Sequence, residues 1–216
     1  MKLLLTSAGY KNDSIITALK NLLTADIKQT KLVFIPTAAN VERGNKEWLI
    51  TDLHRCIELG FQEVDIVDIA AVPQHVWLPP LEAADVIMVG GGNAYYLMDQ
   101  MRKSGLADML PEILKNRVYV GVSAGSMVMA PKLKEEVLHV IYDEVFEGAS
   151  NEGLGLVDFL VVPHLNSPYF PRTAEMIDEV AKRINTPLYV IDDESAVQVV
   201  DGKAEVVTEG RWKRYN

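Results

Sequence analysis

The 216-residue chain has a single cysteine, Cys56, and only four histidines. One thiol can form no intrachain disulfide and no cysteine metal centre, and Cys56 lies in an apolar-periodic helical stretch, so it reads as a buried structural residue. The opening Met1-Lys2-Leu3-Leu4-Leu5-Thr6 is too short an apolar run for a secretory leader and carries no cleavage pattern. No later run is long enough to cross a bilayer. A cytoplasmic protein without a membrane partner is expected. Basic charge is also scarce: 21 Lys and Arg stand against 30 Asp and Glu, a formal net charge of -9. The one basic cluster, Arg211-Trp212-Lys213-Arg214, reads as a solvated tail. Phosphate backbones are bound by concentrated positive surfaces, so no nucleic-acid partner is expected.

What is present is an ordinary globular composition, 49% hydrophobic and 24% charged, enough for one domain spanning residues 1–216 with a substantial core. Short aliphatic runs alternate with amphipathic stretches. Leu3–Leu5, Lys31–Ile35, Val64–Val67, Val86–Val89 and Arg117–Val120 read as strands. Helical patterns run through Ile15–Leu23, Trp48–Ile57, Tyr95–Leu97 and Pro171–Ile184. Residues 73–80 read as a Pro-rich connector, and 132–162 as short strands and loops. Leu188–Ile191 is a further strand, followed by a hairpin of Ala196–Val200 and Ala204–Val207 around Asp201-Gly202. Strands apolar on both faces that alternate with helices predict an α/β fold with a mostly parallel sheet covered on both sides. Ligands gather at the carboxyl ends of such strands.

Gly121-Val122-Ser123-Ala124-Gly125 sits at one of those ends, between a β-type run and an apolar helical run. In a nucleophile elbow the serine occupies the tip of such a turn and the small flanking residues relieve crowding. The same pentapeptide also suits a tight turn that serves packing alone. A serine nucleophile needs a base, and histidine is the usual one. His54 lies in a helix, His75 in the Pro-rich connector and His139 in a strand-like run; His164 follows Leu160-Val161-Val162-Pro163 and opens a polar loop, where a sheet delivers a catalytic side chain. A carboxylate would complete the set. Asp192-Asp193-Glu194 ends a buried-type strand, as either a solvated edge or the source of that carboxylate. The order Ser, His, acid differs from the Ser, acid, His of α/β-hydrolases. The turn Gly90-Gly91-Gly92-Asn93 lacks the spacing of a dinucleotide fingerprint and the Lys-Ser/Thr of a P-loop. It reads either as a backbone donor beside the elbow or as an anion cradle.

Taken together, Val89-Gly90-Gly91-Gly92-Asn93, the Ser123 elbow, Pro163-His164 and the acids before Ser195-Ala196-Val197 resemble the peptidase E (aspartyl dipeptidase) family of serine peptidases, which includes cyanophycinases. The resemblance spans most of the chain. It implies a three-layer α/β/α sandwich of the class I glutamine amidotransferase type, no metal or organic cofactor, a short peptide as substrate and a homodimer. It further implies Ser123 as nucleophile, His164 as general base and Glu194 as the acid, because the family's glutamate stands two residues before the hairpin strand. The oxyanion donors would be the N–H groups of Gly92 and Ala124. Asn93, Arg172 and Tyr169 are candidate substrate-binding residues. Arg43 and Lys132 join Arg172 as candidate cations for an acidic substrate group, and Tyr95 and Tyr96 join Tyr169 as pocket walls. The segment 132–160 does not match the part of aspartyl dipeptidases that shapes the pocket for an N-terminal Asp, so the resemblance leaves that preference open. The expected activity is that of a serine exopeptidase or dipeptidase working through an acyl-enzyme. A cyanophycinase-like hydrolase and a non-catalytic binding protein of the same fold are the alternatives.

Overall fold

The computed structural model describes residues 1–148 and 150–216. Five parallel strands form the body of the main sheet: β1 (Lys2–Thr6), β2 (Lys31–Ile35), β3 (Glu63–Ile66), β4 (Val86–Val89) and β5 (Val118–Val122). The hairpin strands β8 (Ser195–Val200) and β9 (Lys203–Thr208) extend it antiparallel from β1, giving the order β3-β2-β4-β5-β1-β8-β9. A second, three-stranded sheet holds β6 (Leu160–Val162) beside β7 (Leu188–Ile191) and β10 (Trp212–Tyr215).

Alternation along the strands explains the layers, because successive side chains point to opposite faces. Leu4, Leu32, Phe34, Met88 and Val120 pack with Ile15, Leu19 and Cys56, from α1 (Asp13–Leu22) and α2 (Glu47–Glu58). Leu3, Leu5, Val33, Ile87 and Tyr119 face the other way, toward α3 (Gln74–Ala83), α4 (Ala94–Lys103) and α5 (Leu106–Ile113). The sheet is thus covered on both faces, as an α/β sandwich. The short α6 (Ala124–Met127) leaves the elbow, α7 (Glu135–Leu138) follows, and α8 (Pro171–Ala181) starts on its proline. Pro suits a first helical position because that N–H has no intrahelical partner.

Three readings of the sequence change. The Pro-rich connector is α3, with Pro79 and Pro80 inside it. Two missing N–H donors weaken a helix, but Trp77 and Leu81, one turn apart, are both buried in the core, and this packing outweighs the local preference. The basic tail is β10, which pairs antiparallel with β7 from Trp212↔Ile191 to Tyr215↔Leu188. His139 caps the C-terminus of α7 instead of lying on a strand. Among the described residues, no helix is long and apolar enough to cross a membrane.

Candidate active site

Ser123 joins β5 to α6 in a conformation that few non-glycine residues adopt, with φ 49° and ψ -109°. Strain of this kind persists only where the surroundings over-determine it. Here the Ser123 N–H donates to Thr6 O at 3.1 Å, Ser126 Oγ donates to the same oxygen at 2.8 Å, and Ser126 N and Met127 N donate to Ser123 O. Gly125 permits the turn: a Cβ there would lie 2.1 Å from Val89 O. The outcome is a serine side chain raised above the sheet's carboxyl edge.

β6 ends at Val162 and delivers His164 to that edge, with φ 65°. His164 Nε2 lies 2.9 Å from Ser123 Oγ, and Nδ1 lies 2.7 Å from Asp193 Oδ1. An ionised Asp193 carboxylate can only accept, so Nδ1 carries the ring proton and Nε2 is left as the acceptor facing the serine. Burial pushes the Asp193 carboxyl up, but the hydrogen bond and charge of His164, the Ser7 hydroxyl and Lys11 outweigh it and hold it below the usual carboxylate range. Phe170 stacks on the imidazole with ring centroids 4.4 Å apart. The other histidines are elsewhere: His54 pairs with Glu58, His75 lies within α3, and His139 packs on Tyr95.

The carboxylate at the imidazole is therefore Asp193, where the resemblance implied Glu194. The difference is one residue of register. β8 begins at Ser195, not Ala196, so the position two residues before the hairpin strand is Asp193. The Glu194 side chain instead accepts from Asn12 Nδ2 at 3.1 Å, and Asn12 in turn caps α1. Asp192 accepts from Ser195 Oγ at 2.6 Å and holds the start of the hairpin.

The triglycine turn lies alongside the elbow. A Cβ on Gly91 would be 3.3 Å from Ser123 Cβ, and Gly92, with φ 131°, could carry none, since Ala38 O would lie 2.2 Å away. Among the described residues, neither the Gly92 nor the Ala124 N–H donates to a protein acceptor. Both are backbone donors near the nucleophile.

A sequence profile for peptidase family S51 matches residues 3–207. The chain belongs to peptidase family S51. It is accordingly a serine peptidase. It is similar to an uncharacterised peptidase of Pasteurella multocida, 28% identical over 176 residues that cover 81% of this chain and 83% of the relative. A peptidase E of Haemophilus influenzae is 30% identical over 174 residues, 78% of this chain and 67% of the relative. The crystal structure of a Listeria monocytogenes protein assigned to peptidase E superposes with a TM-score of 0.80 at 22% identity, over 97% of this chain and 98% of that one. That likeness is one of fold.

Around the serine of this S51 peptidase opens a cleft of about 690 Å³, lined among others by Gly91, Gly92, Ser123, His164, Tyr169, Phe170 and Asp193. Of the three candidate substrate-binding residues, Tyr169 is on it. Asn93 is not: it is buried and its side chain accepts from Tyr96 N at 2.9 Å, capping α4. Arg172 lies outside the lining, 3.8 Å from Asp143. Arg43 and Lys132 are likewise absent from it, and Lys132 pairs with Glu152. The cations that do line the cleft are Lys11 and Arg55, the latter donating to Ala8 O and lying 3.7 Å from Asp52. Among the described residues, no group of three or more His, Cys, Asp and Glu is placed to hold a metal ion.

Sequence reasoning found no role for the segment after the elbow, yet it forms a wall of the cleft. Tyr142 Oη donates to Pro163 O at 2.7 Å, beside the histidine, and its ring meets Phe170 edge-on. Glu144 Oε2 accepts the Ala94 N–H at 2.8 Å, at the start of α4, and Phe146 packs against Tyr96. These residues strap the histidine loop to the triglycine turn. Burial pushes the Glu144 carboxyl up to about 8, against the favourable Ala94 N–H and with a further push from Glu42. Asp52 is raised to about 7, chiefly by burial.

The Glu144 shift has a sign that can be measured. A carboxyl whose folded pKa is raised binds its proton more tightly in the folded state, so stability is lost as pH rises from the unfolded value, 4.5, to about 8. Glu144→Gln retains an acceptor for the Ala94 N–H and cannot ionise. Its melting temperature should match the parent near pH 5 and exceed it at pH 9, as read by thermal unfolding at the two pH values.

Proposed function

We propose that the enzyme is an exopeptidase for short peptides that works through Ser123, His164 and Asp193. The observation that carries this reading is the hydrogen-bonded line from Ser123 Oγ through the His164 ring to Asp193 Oδ1, opening on a cleft. His164 Nε2 takes the Ser123 proton as Oγ attacks the peptide carbonyl. The Asp193 carboxylate steadies the imidazolium that forms. The N–H groups of Gly92 and Ala124 receive the oxyanion, and donors fixed in advance are worth far more than water there. His164 then hands the proton to the leaving amine, and water releases the acyl group by the reverse sequence.

The charge of the cleft supports action at a peptide's amino end. Glu42, Glu47 and Glu144 line it together with Asp52, and none of the first three has a cation partner among the described residues. Unpaired carboxylates such as Glu42 and Glu47 favour a cationic ligand group, Glu144 can add a further charge by releasing the proton that burial makes it hold near neutral pH, and the free α-ammonium of a short peptide supplies the cation. An acidic first residue finds little in return, because Arg55 is engaged by Asp52 and Ala8, which leaves Lys11. The reading therefore carries no requirement for an N-terminal Asp.

A defined mixture of di- and tripeptides, free and N-acetylated, tests it. Free peptides should be cleaved and their acetylated counterparts spared, with Asp-initiated and Ala-initiated dipeptides cleaved at comparable rates. Equal cleavage of acetylated peptides would overturn the exopeptidase reading, and cleavage confined to Asp-initiated ones would overturn the broad preference.

A further inference from the structure

Thr6 and Ser7, where β1 leaves the main sheet, are both fully buried. Between them they touch every member of the proposed triad. Thr6 O accepts the Ser123 N–H at 3.1 Å. Ser7 Oγ accepts the His164 N–H at 2.9 Å and donates to Asp193 Oδ1 at 2.7 Å. The same oxygen lies 3.3 Å from His164 Nδ1. A serine hydroxyl has one proton to donate and two lone pairs to accept with, and here the proton goes to the carboxylate while a lone pair holds the histidine backbone.

We infer that Ser7 is a positioning residue for catalysis, a single hydroxyl that sets His164 and Asp193 in register with each other and with the strand that holds Ser123. This rests on the triad reading above. Three features of the geometry support it. First, His164 has φ 65°, a left-handed conformation uncommon outside glycine and asparagine-like residues, so its backbone needs an external restraint, and the Ser7 hydroxyl accepts its N–H. Second, Asp193 Oδ1 receives both the His164 ring and Ser7 Oγ, so the hydroxyl fixes the lone pair left for Nδ1. Charge-assisted bonds of this length are the stronger ones and restrict orientation most. Third, the Ser7 loop is itself tied down, by Arg55 of α2 donating to Ala8 O and internally by Gly9 N donating to Thr6 Oγ1 at 2.9 Å. The histidine and the acid thus share a reference point at the end of β1, a strand of the main sheet, although β6 and β7, from which they come, belong to the other sheet.

The test is steady-state kinetics on a cleaved dipeptide. Ser7 lines the cleft, but its hydroxyl is already engaged by Asp193 and the His164 N–H, so Ser7→Ala should lower kcat by about 10- to 100-fold, the effect of unmaking a hydrogen bond to a charged group, while KM stays near the parent value. If the hydroxyl acts through Asp193, most of that loss should vanish when Ser7→Ala is made in an Asp193→Ala background, since residues working as one unit are non-additive. Ser7→Cys keeps the side-chain shape at slightly greater volume and exchanges a strong donor for a weak one; it should show the same kcat loss and supplies the reading if the alanine variant fails to fold. Parent-like kcat in a folded Ser7 variant overturns the inference. So does a full loss repeated in the Asp193→Ala background, which would mean a structural effect independent of the acid. Ser123→Ala, run in parallel, separates the two levels: activity there removes the triad reading itself, whereas an inactive Ser123→Ala beside an unimpaired Ser7→Ala removes only the role of Ser7.

Discussion

Ser123→Ala should lower kcat for dipeptide hydrolysis by on the order of a millionfold, the loss seen when a serine nucleophile is removed and only binding and the oxyanion donors remain. His164→Gln should fall by a similar factor, and the double variant hardly further, because nucleophile and base act as a unit. Stability should not follow activity. The Ser123 backbone bonds to Thr6 O and from Ser126 and Met127 do not involve its hydroxyl, so the elbow retains its supports in the alanine variant. A melting temperature within a few degrees of the parent is expected. Peptide turnover measured alongside thermal unfolding separates this from a variant that has merely lost its fold.

Asp193→Asn should cost about 10⁴-fold in kcat. An amide at that position can offer its N–H₂ to Nδ1 and so favours the tautomer whose Nε2 carries the proton and cannot act as a base. Glu194→Gln is the matched control one residue away. Its side chain meets Asn12 on the far side of the strand end, and an amide oxygen there still accepts. It should keep activity within severalfold of the parent. The pair is decisive because both variants remove one charge from the same acidic run. A large loss in Glu194→Gln with little in Asp193→Asn would return the acid to the position that the resemblance implied.

The two variants also show where the sequence stops being legible. The elbow was readable because its determinants are local: a glycine two residues before and after the serine, a β-type run before it and an apolar run after it. His164 was readable because a proline ends an apolar strand immediately ahead of it. The acid was ambiguous because Asp192, Asp193 and Glu194 are adjacent, neighbouring residues point to opposite sides, and β8 starts one residue earlier than its aliphatic pattern suggests. No local signal marks Ser7, whose partners lie 157 and 186 residues away. Glu144 and Tyr142 escaped for the same reason, since the wall they build has no regular periodicity and takes its form from contacts with α4 and Pro163. In α3, propensity pointed away from a helix and the burial of Trp77 and Leu81 decided otherwise. In β10, four largely exposed residues carry no core pattern, and pairing with β7 alone makes them a strand.

The central claim is that Ser123 is a nucleophile activated by His164. Its most direct test is mass-spectrometric mapping of the protein after treatment with a phosphonofluoridate, which is attacked by an activated serine and not by ordinary hydroxyls. The account predicts a single stoichiometric adduct on the peptide containing Ser123 in the parent enzyme, and none in His164→Gln. An unmodified Ser123 in the parent, or equal labelling once His164 is replaced, would contradict it.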